Sequence, residues 1–303
     1  MRAGSRAAAR AVAVASAIAL SLGAVGADAY CRTTSCEGGS TGARCVPAQA
    51  GDCGVELHWP SPCVSFDLQK DASSDVSLDS ATAVFHAAFA SWTTASCASG
   101  GTPRMEMVDL GPVACDKHEY SQQQGNANLI VFRDKSWPHA GQGSTLALTT
   151  VTFNLDTGEI YDADMELNSA QVTFTTVDTA VEFDLLSVAT HECGHFLGLS
   201  HAALPDATMY ADYKPHSTSL RSLNEDDIAA ICAVYPPGEA IPEACDATPR
   251  HGFSSECAGA KPEDAATTGS CTIARSPRTS GSIAALALIA LGALAVGARR
   301  RCG

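Results

Sequence analysis

The stretch His191-Glu192-Cys193-Gly194-His195-Phe196-Leu197-Gly198-Leu199-Ser200-His201 decides how the rest of the chain is read. Apolar residues at helical spacing precede it, and a glycine follows the last of them. A helix is therefore predicted over Val181–Leu199. Four residues apart on that helix, His191 and His195 project from one face. Glu192 lies beside the same face, within reach of a metal-held water. Gly198 can take a positive φ and turn the chain out of the helix, so that His201 swings back as a third ligand. Three neutral imidazoles leave the fourth position of a tetrahedral zinc open to water. Zinc lowers the pKa of that water, and Glu192 can take its proton and pass it to a leaving amine. A core helix with satisfied histidines would have to explain three His and one Glu at ligand spacing among Leu, Val and Phe.

Working outward, Ala207-Thr208-Met209-Tyr210 follows His201 by a short turn. A second helix is predicted over Asn224–Tyr235, ended by Pro236-Pro237. Upstream, Ala81, Val84, Phe85, Ala88, Phe89 and Trp92 recur at three and four residues, predicting a helix over Leu78–Thr94 that Ser77 can cap. Strands are predicted at Cys63–Leu68, Arg104–Leu110, Asn128–Phe132, Thr145–Asn154 and Glu159–Asn168, the last two joined by the turn Leu155-Asp156-Thr157-Gly158. One mixed sheet with helices, an α+β architecture, is the simplest assembly.

The chain has 303 residues, enough for two domains or one with appendages. Its net charge of −14 understates the acidity of the middle. Residues 30–271 carry 11 bases against 32 acids. That excludes nucleic acid as a partner, because the phosphate backbone is repelled. Thirteen cysteines indicate an oxidising compartment. Residues 1–29 read as a secretory signal: Arg2, Arg6 and Arg10, an apolar run, then Ala27-Asp28-Ala29 before Tyr30. Residues 30–54 form a Cys-rich N-terminal extension with Cys31, Cys36, Cys45 and Cys53. Residues 55–236 form the globular domain, and residues 237–281 a linker in which Cys245 and Cys257 can close a small loop. Residues 282–303 hold an apolar run stopped by Arg299-Arg300-Arg301. This end resembles the C-terminal sorting tags of bacterial surface proteins, the myxobacterial type above all, and a plain membrane anchor is the other reading. Both place the protein outside the cytoplasm, at a surface.

The spacing of the His191–His201 stretch resembles the metzincin signature. From about Val55 to Tyr235 the chain resembles the matrixin branch of that group. Ala88-Phe89-Ala90-Ser91-Trp92 matches the matrixin Ala-Phe-x-x-Trp helix. Met209-Tyr210-Ala211-Asp212-Tyr213 matches the Met-turn and the wall after it, with Ala211 where matrixins usually have Pro. Leu223-Asn224-Glu225-Asp226-Asp227-Ile228 matches the start of the last helix, and Leu146-Ala147-Leu148 sits where the family has its substrate-pairing edge strand. The resemblance implies a mixed, mostly parallel twisted sheet with an active-site helix and a C-terminal helix. It also implies one catalytic zinc on His191, His195 and His201, with Glu192 as general base and Met209 beneath the metal. Leu146, Ala147 and Tyr213 would contact a protein or peptide substrate.

Two departures stand out. Asp164 occupies the place of a structural-zinc histidine, so no second zinc is expected. Asp162, Asp164 and Glu166 could instead hold Ca²⁺, or form the solvated face of a strand. The family's Pro-Arg-Cys-Gly inhibitory switch has only a faint echo in Ala43-Arg44-Cys45-Val46-Pro47, where a disulfide is expected for Cys45. A Cys193–Cys232 bridge between the two helices and a Cys97–Cys115 pair are further expectations. The remaining histidines, His118 and His139 among them, show no ligand spacing. These features together predict a monomeric, secreted, surface-associated zinc endopeptidase associated with the cell envelope through its C-terminal segment. The alternative is a catalytically silent zinc-binding adhesion module of the same fold.

Overall fold

The computed structural model describes residues 30–35, 54–139 and 145–258. In chain order the elements are β1 (Cys63–Leu68), α1 (Leu78–Thr93), β2 (Glu106–Asp109), β3 (Leu129–Phe132), β4 (Ala147–Phe153), β5 (Ile160–Leu167), β6 (Phe174–Thr175), β7 (Phe183–Asp184), α2 (Leu185–Phe196), a 3-10 turn at Ser219–Arg221, and α3 (Glu225–Val234). The main sheet runs β2-β1-β3-β5-β4. All its pairings are parallel except β4 with β5. This is the mixed, mostly parallel sheet of the α+β reading, and β4 is its edge beside the helix that carries the histidines.

Strand alternation sorts the side chains into two layers. Val64, Phe66 and Leu68 of β1, Ile130 and Phe132 of β3, and Ala163, Met165 and Leu167 of β5 face the helices. There they bury Phe85, Phe89 and Trp92 of α1 and Val188 and Phe196 of α2. Trp92 is a core residue, as its helical spacing suggests, and its indole N–H donates to the Thr190 carbonyl at 2.8 Å, tying α1 to α2. On the opposite face Leu129 and Val131 meet Val113, Cys115 and Cys257 in a smaller apolar cluster.

Four expectations are corrected. First, the histidine helix begins at Leu185, not Val181, because the Asp184 side chain caps it by accepting from the Ser187 N–H and the two residues before the helix belong to β7. Second, Asp162, Asp164 and Glu166 are buried, not solvated. The segments around Cys115 and Cys257 cover that face of the sheet. Third, the disulfides between described residues include Cys63–Cys245, Cys97–Cys232 and Cys115–Cys257. Cys193 is a buried free thiol, so neither Cys193–Cys232 nor Cys97–Cys115 nor Cys245–Cys257 forms. Fourth, residues 237–258, read as linker, lie against the sheet. Besides two disulfides, Ala114 N–H bonds to the Cys257 carbonyl, and the Asn126 amide donates to the Arg250 carbonyl at 2.7 Å.

The described part of the N-terminal extension forms an antiparallel bridge, Arg32 to Leu199, beside the histidine stretch. The signal segment, Cys36, Cys45, Cys53, Cys271 and the C-terminal apolar segment lie outside the described residues. Among the described residues no helix is long and apolar enough to cross a membrane.

Candidate metal centre

Two glycines let the histidine stretch reach its geometry. Gly198 has φ of +91°, and a Cβ there would approach the Leu57 carbonyl oxygen to 2.8 Å. Only glycine allows both the turn and the close passage of the chain. At Gly194 a Cβ would fall 2.2 Å from the Met209 sulfur. The Met-turn therefore sits directly beneath α2, between the two helical histidines.

The three imidazoles converge. Nε2 of His195 and Nε2 of His201 are 3.2 Å apart, and the ring centroids of His191, His195 and His201 lie 4.7 to 5.2 Å from one another. The outward nitrogens are set by backbone carbonyls. Nδ1 of His191 is 2.7 Å from the Thr208 oxygen, and Nδ1 of His195 is 2.9 Å from the Leu199 oxygen. A protonated Nδ1 donating to a carbonyl leaves Nε2 unprotonated and free to ligate. Burial pushes the pKa of His191, and likewise that of His201, down to about 4. The trio is neutral at pH 7, the state a metal requires.

The support continues outward through one carboxylate. Asp227, at the start of α3, accepts from the backbone N–H groups of Thr208 at 2.6 Å, Met209 at 3.1 Å and Asn224 at 2.8 Å. Thr208 in turn holds His191. The last helix thus fixes the Met-turn, and the Met-turn fixes the first histidine. At the other end of α2 the cap Asp184 is gripped by Arg221 through two hydrogen bonds of 2.8 and 2.6 Å.

Glu192 is 6 % exposed. Burial raises its pKa, while the neighbouring His195 and the Thr149 hydroxyl act to lower it. Thr149 Oγ1 donates to Glu192 Oε2 at 2.6 Å. The centre opens into a cleft of about 830 Å³ lined by Leu146, Ala147, Val188, Tyr213 and Leu220 as well as the histidines. Leu146 and Ala147 thus line the same cleft as the three histidines. Tyr213 lines the cleft too, but its hydroxyl is engaged by the Asp184 N–H and the Ser217 carbonyl.

The acidic face of β5 has its own partners. Asp164 accepts from the Leu129 N–H at 2.8 Å. Asp162 and Asp164 hydrogen-bond to each other, and burial raises the pKa of Asp162 to about 7. Glu166 receives Arg133 on one oxygen and His139 on the other at 2.6 Å. His118 lies 3.4 Å from Glu166. His118, His139 and Glu166 are close enough together to hold a metal ion. The Arg133 guanidinium already supplies the positive charge there, donating to both Glu166 and His118. The donor set of the three-histidine centre fits zinc, whereas this second cluster is closed by its own arginine.

Sequence reasoning missed Thr149, His118 and His139. Thr149 was within reach: it is two residues beyond Ala147 on a strand, hence on the same cleft-facing side. His118 and His139 carry no local spacing that could have paired them.

The family model for matrixins, peptidase family M10, matches residues 58–236, more than half of the chain. Human neutrophil collagenase is 41% identical over 80 residues, 24% of this chain and 17% of that protein. Rat matrilysin is 47% identical over 116 residues, 37% of this chain and 41% of that protein. Metalloendoproteinase 4-MMP of Arabidopsis thaliana is 37% identical over 93 residues, 30% and 25% respectively. The chain spans less than half the length of each of these relatives. With three converging histidines and the edge strand lining one cleft, Met209 packed beneath Gly194 and the family model matched over more than half its length, the chain belongs to the matrixins, a family of zinc metalloendopeptidases.

Proposed function

We propose that this chain is a secreted, surface-associated zinc endopeptidase in which His191, His195 and His201 hold the metal and Glu192 is the general base. The carrying observation is the convergence of three imidazoles beside a buried carboxylate at the floor of an open cleft. When bound, zinc supplies a polarised carbonyl and an acidified water. The protein's own residues do the rest. Glu192 takes the proton of the attacking water and delivers it to the departing amine nitrogen. The edge strand at Leu146-Ala147 receives the substrate as an added strand. Val188, Leu220 and Tyr213 line the space where a substrate side chain would go.

Secretion rests on the N-terminal signal-like segment and on three disulfides among the described residues, bonds that persist in oxidising compartments. Surface retention rests on the C-terminal apolar run and its arginine stop. Calcium belongs to the proposal at Asp162 and Asp164, where the cation would take the place of the proton that two hydrogen-bonded carboxyls share. An adhesion module without turnover has no observation in its favour, since Glu192 is present and buried beside the imidazoles.

The test is Glu192→Gln assayed on casein. The substitution keeps shape and metal ligands and removes the base, so turnover falls by at least about 10²-fold with one zinc retained per chain. Near-normal turnover with zinc bound would remove Glu192 from the mechanism.

A further inference from the structure

We infer that Thr149 is a positioning residue for the base: its hydroxyl anchors one oxygen of Glu192 and leaves the other to carry the proton. The inference rests on the reading of Glu192 given above. Thr149 Oγ1 donates to Glu192 Oε2 at 2.6 Å, and it stands 3.4 Å from the backbone carbonyl of the same residue. The strand around it is otherwise apolar on the cleft side: Ala147 and Val151 flank it at the alternate positions and line the same cleft. The hydroxyl of Thr149 in that row is aimed at Glu192, the carboxylate beside the histidines, and not at Asp212, which also lines the cleft. Glu192 is buried, so water has little access to replace it.

The anchor persists through the proton's path. Before attack, Glu192 is a carboxylate with Oε2 accepting the threonine O–H and Oε1 free. The attacking water gives its proton to Oε1, and its oxygen forms the new bond to the substrate carbonyl carbon. The carboxyl then carries the proton on Oε1, and Oε2 still accepts from Thr149. When the carbon–nitrogen bond breaks, the proton leaves Oε1 for the amine nitrogen and the carboxylate is restored. Without the anchor, the carboxyl can rotate about its last bond and present the wrong oxygen, or turn away from the water. A β-branched side chain suits this role, because its χ1 is stiff and its methyl fixes the direction of the hydroxyl. Thr149 also lies on the edge strand that receives substrate, so ordering of that strand by a bound peptide orders the anchor with it.

The experiment compares Thr149→Val, Thr149→Ser and Glu192→Gln with the wild-type full chain, using a fluorogenic peptide built on a casein cleavage site. Thr149→Val is isosteric and lacks the hydroxyl. It lowers kcat by about 10-fold, the lower end for loss of a supporting hydrogen bond around a metal site, with KM little changed and one zinc retained. Thr149→Ser restores most of kcat. In the Glu192→Gln background Thr149→Val costs nothing further, since there is no base left to position. A wild-type kcat in Thr149→Val, equal impairment in Thr149→Ser, or an effect confined to KM overturns the inference. If Glu192→Gln is inactive while Thr149→Val is normal, only the Thr149 role falls. If Glu192→Gln retains turnover, the reading of the base falls and this inference with it.

Discussion

Two clusters of histidine and carboxylate lie on opposite faces of one sheet. On the helix face, His191, His195 and His201 meet Glu192. On the other face, His118 and His139 meet Glu166. Judged by ligand distance alone, both qualify as metal sites. Charge separates them. Among the described residues, no lysine or arginine hydrogen-bonds to the first cluster; His191 and His195 are held by backbone carbonyls and Glu192 by a hydroxyl. The second includes Arg133, whose guanidinium reaches both Glu166 and His118. A buried carboxylate needs a cation or a proton. In the second cluster the chain itself provides one, so a metal would have to displace an arginine. Proximity of donors is thus a weak criterion, and the charge balance of the surroundings is the stronger one.

The largest effect that can break this contrast comes from removing one histidine from each cluster. His201→Ala leaves two ligands and loses both stoichiometric zinc and measurable turnover on casein. His139→Ala leaves the zinc content at one per chain and kcat unchanged. Elemental analysis of the two purified variants decides it. Loss of zinc from the His139 variant, or two zincs in the wild type, would show that the second cluster also holds metal.

The unequal legibility of the two clusters in the sequence has a physical origin. His191 and His195 are a helical i, i+4 pair, and His201 follows through a glycine turn, so helix geometry alone brings the three together. His118, His139 and Glu166 come from three separated segments, and only the sheet's tertiary cover assembles them. The same holds for the disulfides, whose partners lie 135 to 182 residues apart. The family resemblance packs the last helix against the histidine helix and so suggests Cys193 for Cys232, but α1 and the loop after it deliver Cys97 to Cys232 instead, while Cys193 stays in the core at 0 % exposure. Alternation on β5 correctly placed Asp162, Asp164 and Glu166 on one face. It could not say that residues around Cys115 and Cys257 would cover that face. Nor could it say that Pro236-Pro237 ends a helix without ending the folded unit.

A smaller effect sharpens the contrast from the second cluster's side. Arg133→Met preserves the aliphatic stem and removes the charge, leaving Glu166 buried against two histidines. Loss of one partner of a buried pair is costly, but Arg133 is 17 % exposed and His139 can still donate. The expected destabilisation is therefore about 2 kcal/mol, below the range for a fully buried pair. It is read by denaturant unfolding, with the zinc at the first cluster retained. A variant as stable as the wild type would show that the arginine does not act as the cluster's cation. A variant that gains a second zinc at unchanged stability would show that the metal can stand in for it.

The last effect concerns a carboxyl on the same face with no cation beside it among the described residues. Asp67 on β1 is fully buried, and neither of its carboxyl oxygens has a hydrogen-bond partner among the described residues. Burial, aided by the negative charge of Asp109, raises its pKa to about 7. Where Glu166 is neutralised by an arginine, Asp67 is neutralised by a proton. An aspartate in the unfolded chain titrates near 3.9, so between about pH 4 and pH 7 the folded state binds the proton more tightly than the unfolded state. The stability this contributes is fully present below about pH 4, is lost as the pH rises through 7, and changes no further above that. Asp162 has a raised pKa in the same window and adds to the slope. Asp67→Asn keeps the neutral shape at every pH, so the variant loses less stability than the wild type between pH 4 and pH 7. A difference of about 3 °C in the Tm change corresponds to roughly 1 kcal/mol for a domain of this size. Thermal unfolding at pH 4, 5.5 and 7 measures it for both proteins. Parallel Tm profiles would mean that Asp67 is ionised in the folded state, and that its charge is balanced by a group other than its own proton.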